Sequence, residues 1–109
     1  MLPSHLRFRK RSEYRHFSKH SFRKEGSFFF LHMRLIGTSH SKLGITVSKK
    51  FGNAPERNRF KRIARAAFLA NYPSLPRALF HIIPKQRAKL AKMGDIAQEL
   101  CHLSNATQS

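Results

Sequence analysis

The sequence predicts an α+β fold, a small α/β sandwich with one mixed sheet, and three patterns support this prediction. Two segments alternate in side-chain character with the period of two that strands show. Residues 54–70 instead repeat apolar side chains at helical spacing. Clusters of Gly, Asn and Pro separate these segments. The predicted order is helix, strand, strand, helix, strand, helix, and the 109 residues fit one domain, 1–109.

The predicted strands cover residues 27–35, 43–49 and 77–83. In the first, one set of alternate positions is apolar: Phe29, Leu31, Met33 and Leu35. The other set combines aromatic and basic side chains: Phe28, Phe30, His32 and Arg34. The mixed set suits base stacking and phosphate contact, although Phe28 and Phe30 are equally compatible with a core position. In the second strand, Gly44, Thr46 and Ser48 make a small polar face that either nucleic acid or plain solvent would accept.

Helices are predicted over about residues 12–20, over 54–70, and from near Lys92 or Gly94 onward, with residues 104–109 frayed. The middle helix is the most regular, and its apolar stripe is Phe60, Ile63, Ala64, Ala67 and Phe68. Its opposite side is polar and cationic: Asn58, Lys61, Arg62 and Arg65, with Arg57 and Arg59 flanking the stripe. This helix should therefore pack against the core on one side and offer a cationic ridge on the other.

The charge balance indicates a polyanionic partner. The chain has 22 Lys and Arg against 5 Asp and Glu, a formal charge of +17, and such a field favours association with phosphate backbones. A protein of the membrane surface would concentrate this charge on one long amphipathic helix, whereas here it is spread from Arg7 to Arg87. Cys101 is the single cysteine, and no stretch is apolar enough for a signal peptide or a membrane span. We expect a cytoplasmic protein without a membrane partner.

Between Leu43 and Phe68 a strand, a turn and a basic helix follow one another in a specific order. The strand ends in Ser48-Lys49-Lys50, the turn is Gly52-Asn53-Ala54, and the helix carries the block Arg57-Asn58-Arg59-Phe60-Lys61-Arg62. This combination closely resembles the central signature of the bacterial ribonuclease P protein component, in which the basic block is known as the RNR motif. The flanking elements resemble the family in their order over nearly all the rest of the chain.

The resemblance implies that the basic helix joins two parallel strands by a left-handed crossover and docks on the catalytic RNA of ribonuclease P. The residues expected to bind that RNA are Lys49, Lys50, Asn53, Arg57, Asn58, Arg59, Lys61, Arg62 and Arg65. It also implies that a cleft between the first helix and the open sheet face takes the single-stranded 5′ leader of precursor tRNA. The residues expected in that cleft are Arg11, Tyr14, Phe17, Phe28, Phe30, His32, Arg34, Thr46 and Ser48.

The chain carries no recognisable catalytic or metal-binding motif: it has no HExxH, and no carboxylate pair is marked by a motif. The resemblance implies that the protein assists an RNA enzyme that removes tRNA 5′ leaders, and the absence of such motifs agrees with the expectation of no catalytic residue on the protein. Mg²⁺ is expected at the active site of that RNA, held chiefly by phosphates and water. The expected partners are the catalytic RNA and precursor tRNA, without an obligate protein partner.

Two other functions fit the composition. A ribosomal or other structural RNA-binding protein would share the charge and the aromatic strand, but not the run from Ser48 to Arg62. A DNA-binding protein could place the 54–70 helix in the major groove. However, the sequence before that helix predicts a strand and a turn, not the second short helix of a helix-turn-helix unit.

Overall fold

The computed structural model describes residues 22–35 and 41–108. In this part of the chain the strands are β1 (Phe22–Glu25), β2 (Phe29–Leu35), β3 (Lys42–Ile45) and β4 (Ala78–Pro84). The α-helices are α1 (Ala54–Asn71) and α2 (Met93–Gln108), and short 3₁₀ helices cover Tyr72–Ser74 and Gln86–Leu90. The predicted first helix, 12–20, lies outside the described residues, as do Arg11, Tyr14 and Phe17.

The four strands form one mixed sheet in the order β1-β2-β4-β3. β1 pairs antiparallel with β2, β2 pairs antiparallel with β4, and β3 pairs parallel with β4. The chain passes from β3 to its parallel neighbour β4 through α1. This arrangement confirms the predicted α+β class, while the left hand of the crossover stays a prediction.

One face of the sheet packs on the helices and forms the core. Phe29, Leu31 and Met33 of β2 are completely buried, which confirms the predicted apolar set as far as its side chains are described; that of Leu35 lies outside them. β4 adds Phe80 and Ile82 to the same core. The helices contribute Phe60, Ala64, Ala67, Phe68, Ile96 and Leu100. Each large side chain among these stabilises the fold by about 1.5–3 kcal/mol through burial.

Helix α1 matches its predicted bounds because both of its ends are marked in the sequence. Asn53 is the N-cap: its side chain accepts a hydrogen bond from Glu56 N, and the Glu56 carboxylate accepts one from Asn53 N, each at 2.9 Å. Pro55 lies in the first turn, where no intrahelical N–H is needed. The helix ends at Asn71, and Tyr72–Ser74 follows with Pro73 in its first turn.

The strand boundaries differ from the predicted ones for identifiable reasons. The strand predicted from residue 27 begins at Phe29, and β1 was not predicted at all. The strand predicted to reach residue 49 ends at Ile45, with one more bond from Thr46 N to Ile82 O at 3.0 Å. In a parallel ladder the next donor would be the N–H of residue 84, which is proline, so pairing stops there.

A carboxylate on the last helix holds the bend between β1 and β2. Glu99 Oε1 accepts from Ser27 N at 2.7 Å, and Oε2 accepts from Phe28 N at 2.9 Å and Phe29 N at 3.1 Å. Gly26 leaves room for this carboxylate, since a Cβ there would stand 2.3 Å from Glu99 Oε2. Residues 27 and 28 are therefore tied to α2 instead of extending β2.

Helix α2 begins at Met93, as predicted, but it does not end where fraying was expected. Asp95 caps it by accepting from Lys92 N at 2.9 Å. The helix continues to Gln108, past residue 104. Ser104 is fully buried, and its hydroxyl donates to Leu100 O at 2.6 Å, which holds this turn in place.

Candidate nucleic-acid interface

The face of the sheet that points away from the core carries aromatic, histidine and basic side chains. On β2 these are Phe30, His32 and Arg34, which stand opposite Ile83, His81 and Leu79 of β4. Phe30 is 38% exposed, while His32 and Arg34 are half-buried. β1 adds Arg23, opposite His32. Opposed residues share a face, so this open face brings together three of the residues predicted for the leader cleft.

A pair of histidines stands at the centre of the open face. The rings of His32 and His81 meet edge to face with centroids 5.6 Å apart, and a 2.6 Å hydrogen bond joins His81 Nε2 to the hydroxyl of Thr46. Burial lowers the pKa of His81 to about 4, with a further contribution from His32. Burial and the charge of Arg23 also lower the pKa of His32. At neutral pH this pair is therefore uncharged and can stack or form hydrogen bonds.

The histidine pair predicts that acid destabilises the fold. His81 protonates near pH 6.5 in the unfolded chain but near pH 4 in the folded one, so the unfolded chain binds more protons between these values. The contribution of neutral His81 to the stability of the fold is fully present above pH 6.5 and is lost as the pH falls toward 4. Allowing for solvent screening, the free energy of unfolding should fall by on the order of 1 kcal/mol from pH 7 to pH 5. Urea unfolding at the two pH values measures this change.

The matched variants are His81→Gln and His102→Gln. His81→Gln should reduce the fall in the free energy of unfolding between pH 7 and pH 5, because the group that titrates is removed. His102→Gln changes an exposed histidine of α2 and should leave this fall in the free energy of unfolding as it is in the parent chain. Equal pH dependence in both variants would assign the acid sensitivity to other groups.

Phe28 does not share the open face with Phe30. It lies before β2, its ring packs against the core, and it lines a surface pocket with Asp95, Gln98, Glu99 and His102 of α2. The Arg87 guanidinium lies 5.9 Å from its ring centroid. The period-two grouping of these two Phe was wrong because the bend held by Glu99 interrupts the alternation before Phe29.

Helix α1 presents most of the residues predicted to bind RNA. Asn58 and Arg62 are exposed, while Arg57, Lys61 and Arg65 are half-buried. Arg57 Nε is buried, and within residues 22–35 and 41–108 no atom accepts a hydrogen bond from it. The chain reaches this helix from β3 through Thr46, Ser48, Lys49 and Lys50, all four exposed. The open face and the cationic side of α1 are thus joined by an exposed basic segment.

Asn53 and Arg59, both in the predicted set, have structural partners. The Asn53 side chain caps α1. The Arg59 guanidinium donates to Lys89 O at 3.2 Å and to Ala91 O at 2.9 Å, which ties α1 to the segment before α2. These bonds use the groups that RNA contact would need, so we assign both residues to the scaffold of the interface.

We expect Arg59→Gln to lower the free energy of unfolding by about 1–2 kcal/mol, because two carbonyls lose a charged donor. Arg62→Gln removes the same charge one turn later on the exposed side and should change it by less than about 0.5 kcal/mol. Denaturant titrations of both variants give the comparison. Equal stabilities would show that the Arg59 bonds contribute nothing to the fold.

The open face also contains a residue that was not predicted. His81 was overlooked because β4 is apolar on both sides, Leu79 and Ile83 being neighbours of His81 on the open face. In such a strand the period of two is hidden. The signal available in the sequence was the single polar residue within the run from Ala78 to Ile83.

The described carboxylates are occupied within the fold. Glu56, Asp95 and Glu99 accept backbone N–H bonds, and Glu25 pairs with Lys85. Within residues 22–35 and 41–108, no three His, Cys, Asp or Glu side chains are grouped so that they could hold a metal ion. No helix in the described ranges combines the length and apolar character needed to cross a bilayer.

Comparisons with known proteins agree with this geometry. The model of the family Ribonuclease P matches residues 2–108. The ribonuclease P protein component of Chlamydia caviae is 40% identical over 101 residues, covering 90% of this chain and 70% of that one. A mutant Staphylococcus aureus RNase P protein superposes with a TM-score of 0.84 at 27% identity, over 95% of this chain and 89% of that one. The Thermotoga maritima RNase P protein superposes with a TM-score of 0.81 at 27% identity, over 92% of this chain and 96% of that one. This chain belongs to the ribonuclease P protein family.

Proposed function

We propose that this chain is the RNA-binding subunit of a ribonuclease P that removes the 5′ leader of precursor tRNA. In this proposal α1 and the turn at residues 48–50, which Phe51 N closes by donating to Ser48 O at 3.1 Å, bind the catalytic RNA, and the open face of the sheet binds the leader. The observation that carries it is the continuity of these two surfaces, which the exposed residues Thr46, Ser48, Lys49 and Lys50 connect.

The distribution of charge supports an RNA partner over a merely solvated surface. Three of the four described carboxylates bind backbone N–H groups rather than cations. Glu56, the one acidic residue of α1, is among these three, because it closes the capping box. α1 therefore carries five Lys and Arg side chains and one carboxylate, which is held in the capping box, and RNA phosphates can supply the remaining counter-charge.

The open face supports a single-stranded ligand. Phe30 offers an exposed ring, and the two neutral histidines add flat groups beside it. Side chains of this kind stack on unpaired bases, which a duplex keeps inside its helix. Arg23 and Arg34 on the same face supply charges for the phosphates of such a strand.

The proposal places the catalytic centre on the RNA. No described group of side chains resembles a nuclease site with paired metals, and the four carboxylates of residues 22–35 and 41–108 lie in structural bonds. Mg²⁺ would supply Lewis-acid chemistry at the RNA. The protein would bind and orient the leader and lower the repulsion between the two RNAs.

Reconstitution with the cognate catalytic RNA tests the proposal. We expect the protein alone to leave precursor tRNA intact, and the assembled particle to cleave it at Mg²⁺ concentrations at which the RNA alone is inactive. Arg62→Gln should weaken assembly without unfolding the chain, since its side chain is exposed. Cleavage by the protein that survives removal of RNA would contradict the RNA-centred mechanism, and unchanged assembly by folded Arg62→Gln would remove this part of α1 from the interface.

A further inference from the structure

The segment that leads from β4 to α2 forms a second basic surface. It includes the 3₁₀ helix Gln86–Leu90 and the two residues after it. From residue 85 to residue 92 it carries four cations and no carboxylate: Lys85, Arg87, Lys89 and Lys92. Lys85 and Arg87 lie beside Phe30 and Phe28. Lys89 and Lys92 belong to the other end of the segment, where the Lys89 ammonium lies 5.8 Å from the ring centroid of Phe51.

This segment is held firmly although it is short. Ala88 and Ala91 are each 1% exposed and anchor it in the core. Arg59 binds the carbonyls of residues 89 and 91, and Gln86 Nε2 donates to Lys50 O at 2.8 Å. The segment is thereby fixed both to α1 and to the 48–50 turn, so its exposed side chains are presented in a defined place.

The most exposed large apolar side chain in the described part of the chain stands on this segment. Leu90 is 88% exposed, and Met93, one turn away, is 42% exposed. Leu90 has a buried neighbour, Ala91, and lies between Lys89 and Lys92. A leucine held rigidly in water next to two cations has no role in this core, and its setting suits a ligand with both phosphates and apolar surface.

This surface adjoins the cationic side of α1. Arg59 of α1 contacts the segment directly. Residues three apart are neighbours on a helix surface, so Arg62 lies next to Arg59 on the side of α1 that adjoins the segment. Lys89, Leu90 and Lys92, which we call the Leu90 edge, therefore extend the surface that Arg62 and Asn58 begin.

We propose that the Leu90 edge is a second contact site for the catalytic RNA. Lys89 and Lys92 contact phosphates, and Leu90 packs on riboses in the wide, shallow minor groove of an RNA helix. Arg59 is the positioning residue that holds this edge against α1. The inference rests on the proposed function, since it extends the RNA interface of α1.

Lys92→Gln tests the phosphate contact, and Arg77→Gln is its control. Both side chains are exposed and both changes remove one cation, but Arg77 lies just before β4 and Lys92 beyond its other end. Affinity of the full chain for the catalytic RNA is measured by filter binding over a range of salt. One lost phosphate contact should weaken binding about fivefold near 0.15 M salt and reduce the slope of log K against log salt by about 0.9. Arg77→Gln should leave both unchanged.

Leu90→Gln tests the apolar contact without changing the charge. We expect RNA affinity to fall about threefold to tenfold with an unchanged salt slope, because apolar cover is lost and phosphate contacts remain. If Lys92→Gln and Leu90→Gln both bind like Arg77→Gln while Arg62→Gln binds weakly, the Leu90 edge is not an RNA site and the α1 interface stands. If Arg62→Gln also binds like the parent chain, the proposed interface fails together with its extension.

Discussion

Glu99→Ala should lower the free energy of unfolding by about 2–3 kcal/mol, a large share of the stability of a domain of this size. The carboxylate accepts hydrogen bonds from three consecutive N–H groups, those of residues 27, 28 and 29. Bonds to a charged acceptor are stronger than neutral ones, and alanine offers no acceptor in their place. A urea titration with an unchanged m-value would measure the loss.

Three further variants define the cause. Gln98→Ala changes the adjacent exposed position of α2 and should stay within about 0.5 kcal/mol of the parent chain. Glu99→Gln keeps one acceptor oxygen, so its free energy of unfolding should lie between those of Glu99→Ala and Gln98→Ala. Gly26→Ala must displace the carboxylate, so its effect should shrink when Glu99 is already alanine. A Glu99→Ala midpoint equal to that of Gln98→Ala would show that the bend does not depend on this residue.

The parts of the fold that local sequence signals specify were predictable. Helix α1 has a capping residue, an apolar stripe and a proline after its end, and its predicted bounds agree with the structure to within one residue. The bend at residues 27 and 28 could not be predicted in this way, because its acceptor lies about seventy residues later. For the same reason β1 was missed: it is only four residues long and is defined by its pairing with β2.

The candidate site shows the same division. The periodicity of α1 predicted a polar side on which Asn58 and Arg62 are exposed, although Lys61 and Arg65 of the same side are half-buried. Periodicity placed Arg59 beside the apolar stripe and Arg62 on the opposite side, but it could not show that two backbone carbonyls stand within reach of Arg59. The Leu90 edge could not be predicted from the sequence either. A leucine between lysines is typical of any amphipathic segment, and only the structure shows that Leu90 is exposed.

Phe30→Leu should weaken binding of the reconstituted particle to precursor tRNA by about 1–3 kcal/mol, or roughly fivefold to more than a hundredfold. Leucine keeps most of the apolar bulk but removes the flat ring that stacks on a base. The Lys85 ammonium lies 4.9 Å from the centre of this ring, so a cation already stands beside the expected stacking position. Equilibrium binding of substrates with and without a leader measures the effect.

The loss must depend on the leader, and Phe22→Leu provides the matched control. Phe22 is 48% exposed but stands opposite Met33, on the other face of the sheet. We expect it to bind both substrates as the parent chain does. If Phe30→Leu weakens the binding of mature tRNA as much as that of precursor tRNA, the ring acts through assembly or stability, and the leader binds elsewhere.

The bond between Glu99 and the β1–β2 bend also bears on how the chain folds during synthesis. β2 has its main partner in β4, and the bend waits for a side chain 72 residues beyond Ser27. Closing such long loops costs chain entropy before any contact is gained. The first hairpin lacks both partners until β4 has emerged from the ribosome, and it still lacks Glu99 until the last helix has followed. We therefore expect nascent chains truncated before Glu99 to remain sensitive to protease within β1 and β2, and protection to arise late, in one cooperative step.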